Sequence, residues 1–306
     1  MTLDYSPAVQ QSLANRQAVV ALESTIIAHG MPYPENVATA NQLEALIQAE
    51  GAVPATIAVL KGRIKIGLQE EELEYLGKHP EVMKASRRDL AYVLSLGKSA
   101  ATTVATTMLL AARAGIRVFA TGGIGGVHRG AETTFDISAD LQELARTPVA
   151  VVSAGAKAIL DLGLTLEYLE TMGVPVIGVG TQEFPAFYSR ESGFKVPLQV
   201  DQTDDIARLM HQHWALPHSG GILLANPIPE QYAMDSDLVE ESIQQALFEA
   251  KAQTIAGKHL TPFLLRRIKE LTAGQSLFSN IELVKNNARL AAKVAGAYSR
   301  ETPHQR

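Results

Sequence analysis

A glycine-rich stretch at residues 121–130 combines five glycines with His128 and Arg129. Glycine adopts positive φ without strain and lets backbone N–H groups approach an anion that larger side chains would keep away. His128 and Arg129 add donors that can contact the same anion. Asp136 and Asp140 follow four positions apart, and they share one face wherever a helix covers both. We interpret the stretch as an anion-binding catalytic loop, with a plain surface turn as the alternative.

The surroundings of this loop favour a binding role and exclude two nucleotide motifs. An apolar, β-branched run at 116–120 precedes the loop and a helix-like segment follows it, which is the order strand, glycine loop, helix. The dinucleotide fingerprint fails because His128 stands where its third glycine belongs. The phosphate loop of nucleotide hydrolases fails because Tyr92 occupies the position of its first glycine ahead of Lys98. No nucleotide cofactor is therefore expected.

Reactive side chains also follow other apolar runs of the chain. Glu23 comes after the run 18–22 and Lys157 comes shortly after the run 149–152. Ligands of open α/β sheets bind at the carboxyl ends of strands, so these side chains are candidates for one site. A lysine amine attacks carbon only when neutral, a state that burial or a second cation favours. Lys157 is thus a candidate nucleophile, with a solvated lysine at a helix start as the alternative.

The carboxylates and the basic residues each leave two interpretations open. Glu23 suits general acid or base catalysis, or it caps a helix. Asp136 suits a hard cation that keeps most of its waters, or it is the N-cap of the following helix. The cluster of Lys84, Arg87 and Arg88 suits a phosphate or surface salt bridges. His29 and Trp214 have no comparable context, and packing is the default interpretation for both.

Two amides in the C-terminal part have a spacing that fits a planar ligand. Asn280 and Asn287 lie seven positions apart, so one helix face can present both. An amide offers a donor and an acceptor in one plane, which suits a heterocyclic base. The pair therefore makes one face of this predicted helix a candidate for contact with a base.

Alternating patterns along the chain predict an α/β fold with a largely parallel central sheet flanked by helices. Strand-like runs alternate with segments of helical period, which is typical of this class. A helix is predicted at 36–49, a short antiparallel strand at 63–66 and a mostly helical part at 235–298. The segment 181–200 is rich in turn residues and is interpreted as an excursion or flap. We prefer a single domain over residues 1–306, and the strands are predicted at 18–22, 56–60, 116–120, 149–152, 174–178 and 221–225.

Composition excludes several classes of partner and site. The 306 residues are 46% hydrophobic and 19% charged, as in an ordinary globular protein with a large core. The net charge of -5 and the lack of a basic stripe argue against nucleic acid. Neither a membrane-spanning run nor a signal-peptide pattern is recognisable. The chain has no cysteine, which fits a reducing cytoplasm and leaves carboxylates, histidines and carbonyls as metal ligands, favouring Mg²⁺ or Mn²⁺.

Several of these segments, taken in order, resemble one enzyme family. The chain is similar to the pseudouridine-5'-phosphate glycosidases, or pseudouridylate synthases, a family that includes the indigoidine synthase A-like proteins. The agreement runs from about residue 18 to about residue 299. The segments that carry it are 20–27, 29–32, 86–89, 122–132, 135–141, 154–157, 225–230 and 279–281.

The resemblance implies a homotrimeric α/β/α enzyme with Mn²⁺. The implied reaction is reversible cleavage of the carbon–carbon glycosidic bond of pseudouridine 5'-phosphate, which gives uracil and ribose 5-phosphate. By matching motifs, Lys157 is the implied nucleophile, Glu23 the proton donor and Asp136 the metal ligand. We count His128 of the glycine loop among the expected substrate contacts. The contacts implied by the resemblance are Lys84, Val104, Ser138, Ala139, Asp140 and, for the base, Asn280.

The implied chemistry explains why a lysine and a carboxyl group are needed together. The bond to be broken joins C1' to a carbon of uracil, which leaves far less readily than a nitrogen does. If Lys157 adds at C1' and opens the ribose ring, its nitrogen can expel the base while Glu23 protonates C5 of uracil. Asp140 is our candidate for shuttling a proton to the ring oxygen. Full turnover by Asp140→Asn would contradict that role.

Two alternative functions remain open from the residues. A sugar or nucleoside kinase shares the α/β pattern, the glycine loop and a carboxylate-bound cation. The chain has no Gly-Asp dipeptide, however, which the ribokinase-type catalytic pattern requires. A non-catalytic phosphosugar-binding protein would keep the loop and the basic cluster but has no use for Lys157 beside Glu23. Binding without turnover would identify such a protein.

Overall fold

The central sheet is mixed, and its order is β1-β4-β3-β2-β7-β9-β13-β11-β12, with β6 pairing to β3 and β5 to β6. The computed structural model describes residues 2–255 and 257–301, apart from the side chain of residue 258. The strands are β1 (Leu3–Tyr5), β2 (Val19–Leu22), β3 (Val53–Leu60), β4 (Arg63–Ile66), β5 (Met83–Ala85), β6 (Ala100–Thr102), β7 (Val118–Ala120), β8 (Val127–His128), β9 (Ala150–Ser153), β10 (Leu160–Asp161), β11 (Val176–Gly178), β12 (Leu198–Gln199) and β13 (Ile222–Ala225). Strands β8 and β10 form a separate antiparallel pair.

Helices flank this sheet, which confirms the α/β class. Helices α2, α9 and α12 pack together, whereas α5 packs against α7. None of the described helices is long and apolar enough to cross a membrane. The helices are α1 (Pro7–Ala14), α2 (Glu35–Ala49), α3 (Glu70–Lys78), α4 (Leu90–Ser95), α5 (Val104–Arg113), α6 (Ala131–Thr134), α7 (Ala139–Leu144), α8 (Leu162–Thr171), α9 (Thr203–Ala215), α10 (Ser236–Ala252), α11 (Leu260–Leu271) and α12 (Gln275–Arg300).

Strand β3 changes its pairing along its length, and this change creates the site. Its first half, through Thr56, pairs in parallel with β2. From Ile57 onward it pairs in antiparallel fashion with β4 and β6. The carboxyl ends of β2 and β6 therefore point towards each other. Ser24 joins them, because its Oγ donates to the carbonyl of Ile57 at 2.7 Å and accepts from the N–H group of Thr102 at 2.9 Å.

The parallel part of the sheet continues from β2 through β7, β9 and β13 in that order. All residues of these four strands are buried, which explains why they read as continuous apolar runs. Their carboxyl ends lie side by side, in the register Leu22–Ala120–Val152. The segments that follow β2, β7 and β9, which begin at Glu23, Thr121 and Ala154, therefore start at one edge of the sheet.

The structure corrects the sequence predictions in two places. Residues 181–200 were interpreted as an excursion, but Phe184, Phe187 and Tyr188 are buried in the core. The helix expected directly after the glycine loop is divided into the short α6 and α7. Asp136 lies between them, so it neither caps a helix nor shares a helical face with Asp140. The N-cap of α7 is Ser138, whose hydroxyl accepts from the N–H group of Asp140.

Candidate active site

A cavity of about 740 Å³ opens where β2 and β6 converge. This volume suits a small organic ligand. The cavity has two sides: we call residues 84–88 with 103–104 the basic wall, and Glu23, residues 121–125 and Lys157 the catalytic wall. Ten of the site residues selected from the sequence line this cavity, so the structure brings these ten together, while their individual roles remain predictions. These residues are Glu23, Lys84, Val104, His128, Asp136, Ser138, Ala139, Asp140, Lys157 and Asn280.

Glu23 follows β2 and is bonded to a residue that follows the neighbouring β7. The hydroxyl of Thr121 donates to Oε1 of Glu23 at 2.5 Å. Burial raises the pKa of the Glu23 carboxyl, although Lys157 and the Thr121 hydrogen bond act in the opposite direction. A protonated carboxyl is a proton donor, and a raised pKa extends this form to higher pH. The environment of Glu23 thus suits a general acid.

The hydrogen bond from Thr121 leads to a prediction about pH dependence. It lowers the pKa of Glu23, so its removal in Thr121→Val is expected to raise that pKa further. If Glu23 acts as the acid, the alkaline limb of the pH–rate profile then moves to higher pH. Thr121→Ser keeps the hydroxyl and should leave the limb in place. A limb that stays unchanged in Thr121→Val would contradict the assignment.

Lys157 is held against the glycine loop by both its backbone and its side chain. Its N–H group donates to the carbonyl of Ile124 at 3.1 Å. Its Nζ donates to the carbonyl of Gly123 at 2.6 Å. Phe187 packs directly over Gly123, where any side chain would collide with its ring. Because Gly123 has no side chain, its carbonyl can approach the amine of Lys157 beneath the Phe187 ring. The sequence analysis suggested only anion binding for these glycines.

Lys84 stands on the basic wall as a second half-buried amine. Burial lowers the pKa of Lys84, and the positive charge of Lys157 lowers it further. An anionic ligand would act in the opposite direction and stabilise the Lys84 cation. Lys84 and Lys157 are thus two amines that line one cavity.

Asp140 connects the two walls of the cavity. Its Oδ1 accepts the N–H group of Ala105 at 2.9 Å, and its Oδ2 accepts that of Gly125 at 2.8 Å. Asp140 is only 7% exposed. Both oxygens are engaged by backbone donors, so the geometry gives Asp140 a structural task. Its suggested role as a proton shuttle gains no support from these contacts.

The first turn of α5 lies on the basic wall, where it suits an anion. The hydroxyl of Thr103 caps the helix by accepting from the N–H group of Thr106. A helix N-terminus with nearby cations favours phosphate binding. Arg87 is held there by Glu143, whose buried carboxylate accepts from its Nη1 at 2.7 Å. Lys84, Arg87 and Arg88 all line the cavity, which favours the phosphate interpretation of this cluster.

Arg129 does not contact the cavity, contrary to expectation. Its guanidinium makes two hydrogen bonds to Glu240 of α10, at 2.6 and 2.9 Å. It also donates to the carbonyl of Ala158 at 3.3 Å. Arg129 therefore fastens the end of the glycine loop to α10, and only His128 of the pair lines the site.

Asp136 and His128 are the candidate neighbours of a metal ion. The carboxylate of Asp136 raises the pKa of the His128 ring, but burial lowers it more. Among residues 2–255 and 257–301, no three acidic, histidine or cysteine side chains form a metal cage. One carboxylate in a cavity that is open to an anionic ligand fits a hard cation that retains its waters, such as Mn²⁺. The donor set is therefore compatible with the implied ion.

The two amides of α12 have different tasks. Asn280 is 8% exposed, lines the cavity, and has no hydrogen-bond partner for its buried Oδ1. Asn287 is fully buried and donates to the carbonyls of Thr121 and Gly122 at 2.8 and 3.3 Å. It also accepts from Asn226 at 2.9 Å. Only Asn280 is available to a ligand, while Asn287 supports the loop from behind.

The different contacts of Asn280 and Asn287 predict different effects when each residue is replaced by leucine. Asn287→Leu leaves the buried polar partners of Asn287 unsatisfied and should lower the free energy of unfolding by about 2–3 kcal/mol. Asn280→Leu removes an amide without internal partners, so we expect nearly unchanged stability and weaker binding of the base. Chemical denaturation and steady-state kinetics of both variants measure these effects. Equal losses of stability would contradict the division of roles.

The structure adds residues that the sequence analysis did not select. Thr121 follows β7 as Glu23 follows β2, so the rule of strand ends could have identified it. His29 was assigned to packing but lines the cavity. Residues Thr261, Pro262 and Leu265 of α11 also line it, and no sequence signal marks them.

Comparisons with known proteins find matches over nearly the whole chain. The family model described as indigoidine synthase A like protein matches residues 8–297. The pseudouridine-5'-phosphate glycosidase of Caldanaerobacter subterraneus subsp. tengcongensis is 63% identical over 293 residues, covering 96% of this chain and 95% of that protein. The enzyme of the same name from Escherichia coli is 59% identical over 299 residues, covering 97% and 96%.

Two solved structures share the fold over nearly the whole chain. One is the prealnumycin C-glycosynthase AlnA in complex with ribulose 5-phosphate, with a TM-score of 0.91, 39% identity and 98% coverage of both chains. The other is an indigoidine synthase A-like protein from Thermotoga maritima, with a TM-score of 0.90, 33% identity and coverage of 98% and 97%.

Proposed function

The chain belongs to the family of the indigoidine synthase A like proteins, and from this premise we propose that it is a pseudouridine-5'-phosphate glycosidase. It reversibly cleaves pseudouridine 5'-phosphate to uracil and ribose 5-phosphate. Relatives that are 63% and 59% identical carry this name and match over nearly their full length. The observation that carries the proposal is the joint placement of Lys157 and Glu23 in one cavity with the basic wall.

Lys157 is the nucleophile of the proposed reaction. Its amine forms a bond to C1' while the bond from C1' to the ring oxygen breaks and that oxygen takes up a proton. The nitrogen lone pair then forms an iminium as the electrons of the C1'–C5 bond pass to uracil. Water adds to the iminium and releases ribose 5-phosphate, which restores the free amine.

Glu23 supplies the proton that C5 of uracil takes up as the bond breaks. Thr121 donates to Oε1 of Glu23, which leaves the second oxygen to carry the transferable proton. In the reverse direction the carboxylate accepts a proton from C5. Asn280 offers its unpartnered amide to the polar edge of the base. C5 of uracil is therefore expected to take its proton from Glu23 and not from an acid in solution.

The basic wall holds the phosphate in this proposal. Arg87 and Arg88 supply charge, the N-terminus of α5 at Val104 supplies backbone donors, and the buried Glu143 keeps Arg87 in position. Asp136 is the residue that would hold Mn²⁺, which when bound supplies further positive charge near the substrate. Remote binding of the phosphate then orients C1' towards Lys157.

We also propose a homotrimer located in the cytoplasm, as the family resemblance implies. Large apolar side chains that are exposed in the single chain suit contacts between subunits, among them Phe135 at 83%, Phe248 at 71% and Leu216 at 63%. Light scattering after size-exclusion chromatography measures the assembly directly.

Chromatography of pseudouridine 5'-phosphate incubated with the protein and Mn²⁺ tests the function. We expect uracil and ribose 5-phosphate as products, and pseudouridine without the phosphate should react poorly. Uridine 5'-phosphate, which has a nitrogen glycoside, provides a second comparison. Bound but unreacted pseudouridine 5'-phosphate would contradict the proposal and favour a phosphosugar-binding protein.

A further inference from the structure

Buried polar atoms without a hydrogen-bond partner indicate where a ligand can bind to this protein. Among the described residues, four buried side-chain nitrogen or oxygen atoms have no hydrogen-bond partner, and these belong to His29, Glu74, His213 and Asn280. Glu74 is compensated by an ion pair with Lys78 at 2.7 Å. An unpartnered buried polar atom costs about 1–3 kcal/mol, so such atoms are uncommon without a reason.

Two of the remaining three atoms belong to residues that line the cavity. Asn280 and His29 line it, whereas His213 lies in α9 and does not. The orphaned atom of His29 is Nε2. In an open cavity, a bound molecule can satisfy such an atom, which recovers the energy lost in the free protein. The proposed function assigns Asn280 to the base and leaves His29 unassigned.

The local structure presents His29 at the edge of the basic wall. His29 lies in the π-helical turn Ile26–Gly30, and such turns are rare and frequent at functional sites. The backbone of Val82 and Met83, which lead into Lys84, contacts the ring. Burial lowers the pKa of His29 and outweighs the hydrogen bonds with the backbone of Met83 and Val82, which raise it, while the charge of Lys84 acts in the same direction as burial. The imidazole is therefore neutral at neutral pH and suits an uncharged hydrogen-bonding group.

The substrate has one set of uncharged polar groups that the other residues leave free. The phosphate requires cations and backbone donors, which the basic wall provides. The edge of the base requires an amide, which Asn280 provides. The ribose hydroxyls remain, and C2 and C3 carry the hydroxyls of the closed ring next to the reacting carbon.

We propose that His29 is a substrate-binding residue whose Nε2 hydrogen-bonds the hydroxyl at C2 or C3 of the ribose, an inference that rests on the proposed function. The contact lies on the sugar and leaves the base untouched. It predicts that His29 contributes to the affinity for ribose 5-phosphate alone. It also predicts that the contribution of His29 disappears with the deoxy sugar that lacks the bonded hydroxyl. This sugar is the 2-deoxy analogue if Nε2 bonds the hydroxyl at C2, and the 3-deoxy analogue if it bonds the hydroxyl at C3.

Calorimetric titration with ribose 5-phosphate and its 2-deoxy and 3-deoxy analogues tests this contact. His29→Asn removes the atom at the Nε2 position and should weaken ribose 5-phosphate binding roughly tenfold, the value of one hydrogen bond that replaces an orphaned atom. With one of the two deoxy sugars, wild type and variant should bind equally. Unchanged binding of ribose 5-phosphate, or equal losses with all three sugars, would overturn the proposal.

Matched variants separate this contact from a general effect on folding. His29→Gln can place an amide near the Nε2 position and should restore most of the affinity. His213→Asn removes the other unpartnered histidine atom outside the cavity and should bind like wild type. Wild type alone also provides a test, because it should bind one deoxy sugar roughly tenfold more weakly than ribose 5-phosphate. Equal affinity for all three sugars would overturn the contact without any variant.

Turnover measured on wild type keeps the two proposals distinguishable. Failure to cleave pseudouridine 5'-phosphate would contradict the proposed function, while the binding series would still report on His29. Normal cleavage combined with equal affinities for the three sugars would contradict the His29 contact and leave the function intact.

Discussion

Lys157→Ala should lose at least about 10³-fold in turnover of pseudouridine 5'-phosphate, because no other route expels a carbon leaving group at a comparable rate. The amine is held at 2.6 Å from the carbonyl of Gly123, within the cavity that also contains Glu23. Truncation removes the nucleophile and leaves the backbone hydrogen bond of residue 157 in place. We therefore expect a folded protein that retains affinity for the phosphorylated substrate.

Chemical trapping distinguishes a nucleophile from a lysine that only binds. Wild type incubated with ribose 5-phosphate and borohydride should gain the mass of one reduced sugar phosphate, located on Lys157 by peptide mass spectrometry. Lys157→Arg keeps the positive charge but cannot form the imine, so it provides the matched control. Substantial turnover by the arginine variant, or an adduct on Lys84, would contradict the assignment.

Glu23→Gln should lower the rate of cleavage by about 10²–10⁴-fold, the range for loss of a general acid. The amide keeps the shape of the side chain and can still accept from Thr121, so folding should be preserved. Since the carboxyl acts on uracil and not on the sugar, this variant should still form the trapped adduct with ribose 5-phosphate. Loss of the adduct as well as turnover would place Glu23 at a different step.

The pH dependence of the wild type follows from the same carboxyl. Burial raises the pKa of Glu23, and Asp140 acts in the same direction, while Lys157, Thr121 and Lys84 oppose them. The acid form is present below this pKa and is lost as the pH rises through it. The cleavage rate, where it depends on protonated Glu23, should therefore fall as the pH rises. The midpoint of this fall should lie above the usual pKa of a glutamate side chain.

The buried strands could be predicted from the sequence because fully buried parallel strands appear as continuous apolar runs. The runs at 18–22, 116–120 and 221–225 correspond to β2, β7 and β13 within two residues at each end. The rule that ligands bind at strand ends then placed Glu23 and Lys157 together. The resemblance to a known family added Val104 and Ala139, whose side chains carry no functional group of their own.

Other features depend on pairings between distant segments and were not visible locally. The three residues of β6 are too few to show a strand pattern in the sequence. Their pairing with β3 orients the basic wall towards Lys157. Arg129 is adjacent to His128 in sequence, but its partner Glu240 lies more than a hundred positions away. Likewise, the backbone donors that engage Asp140 belong to Ala105 and Gly125.

Asp140 also sets a length that the substrate must match. One carboxylate, bonded to Ala105 on one side and to Gly125 on the other, keeps the first turn of α5 and the glycine loop at a constant separation. Under the proposed function, the phosphate of the substrate lies at the first turn of α5, and its reacting carbon lies at the glycine loop. Under the proposed function, this fixed separation is expected to decide which sugar phosphates reach both positions at once.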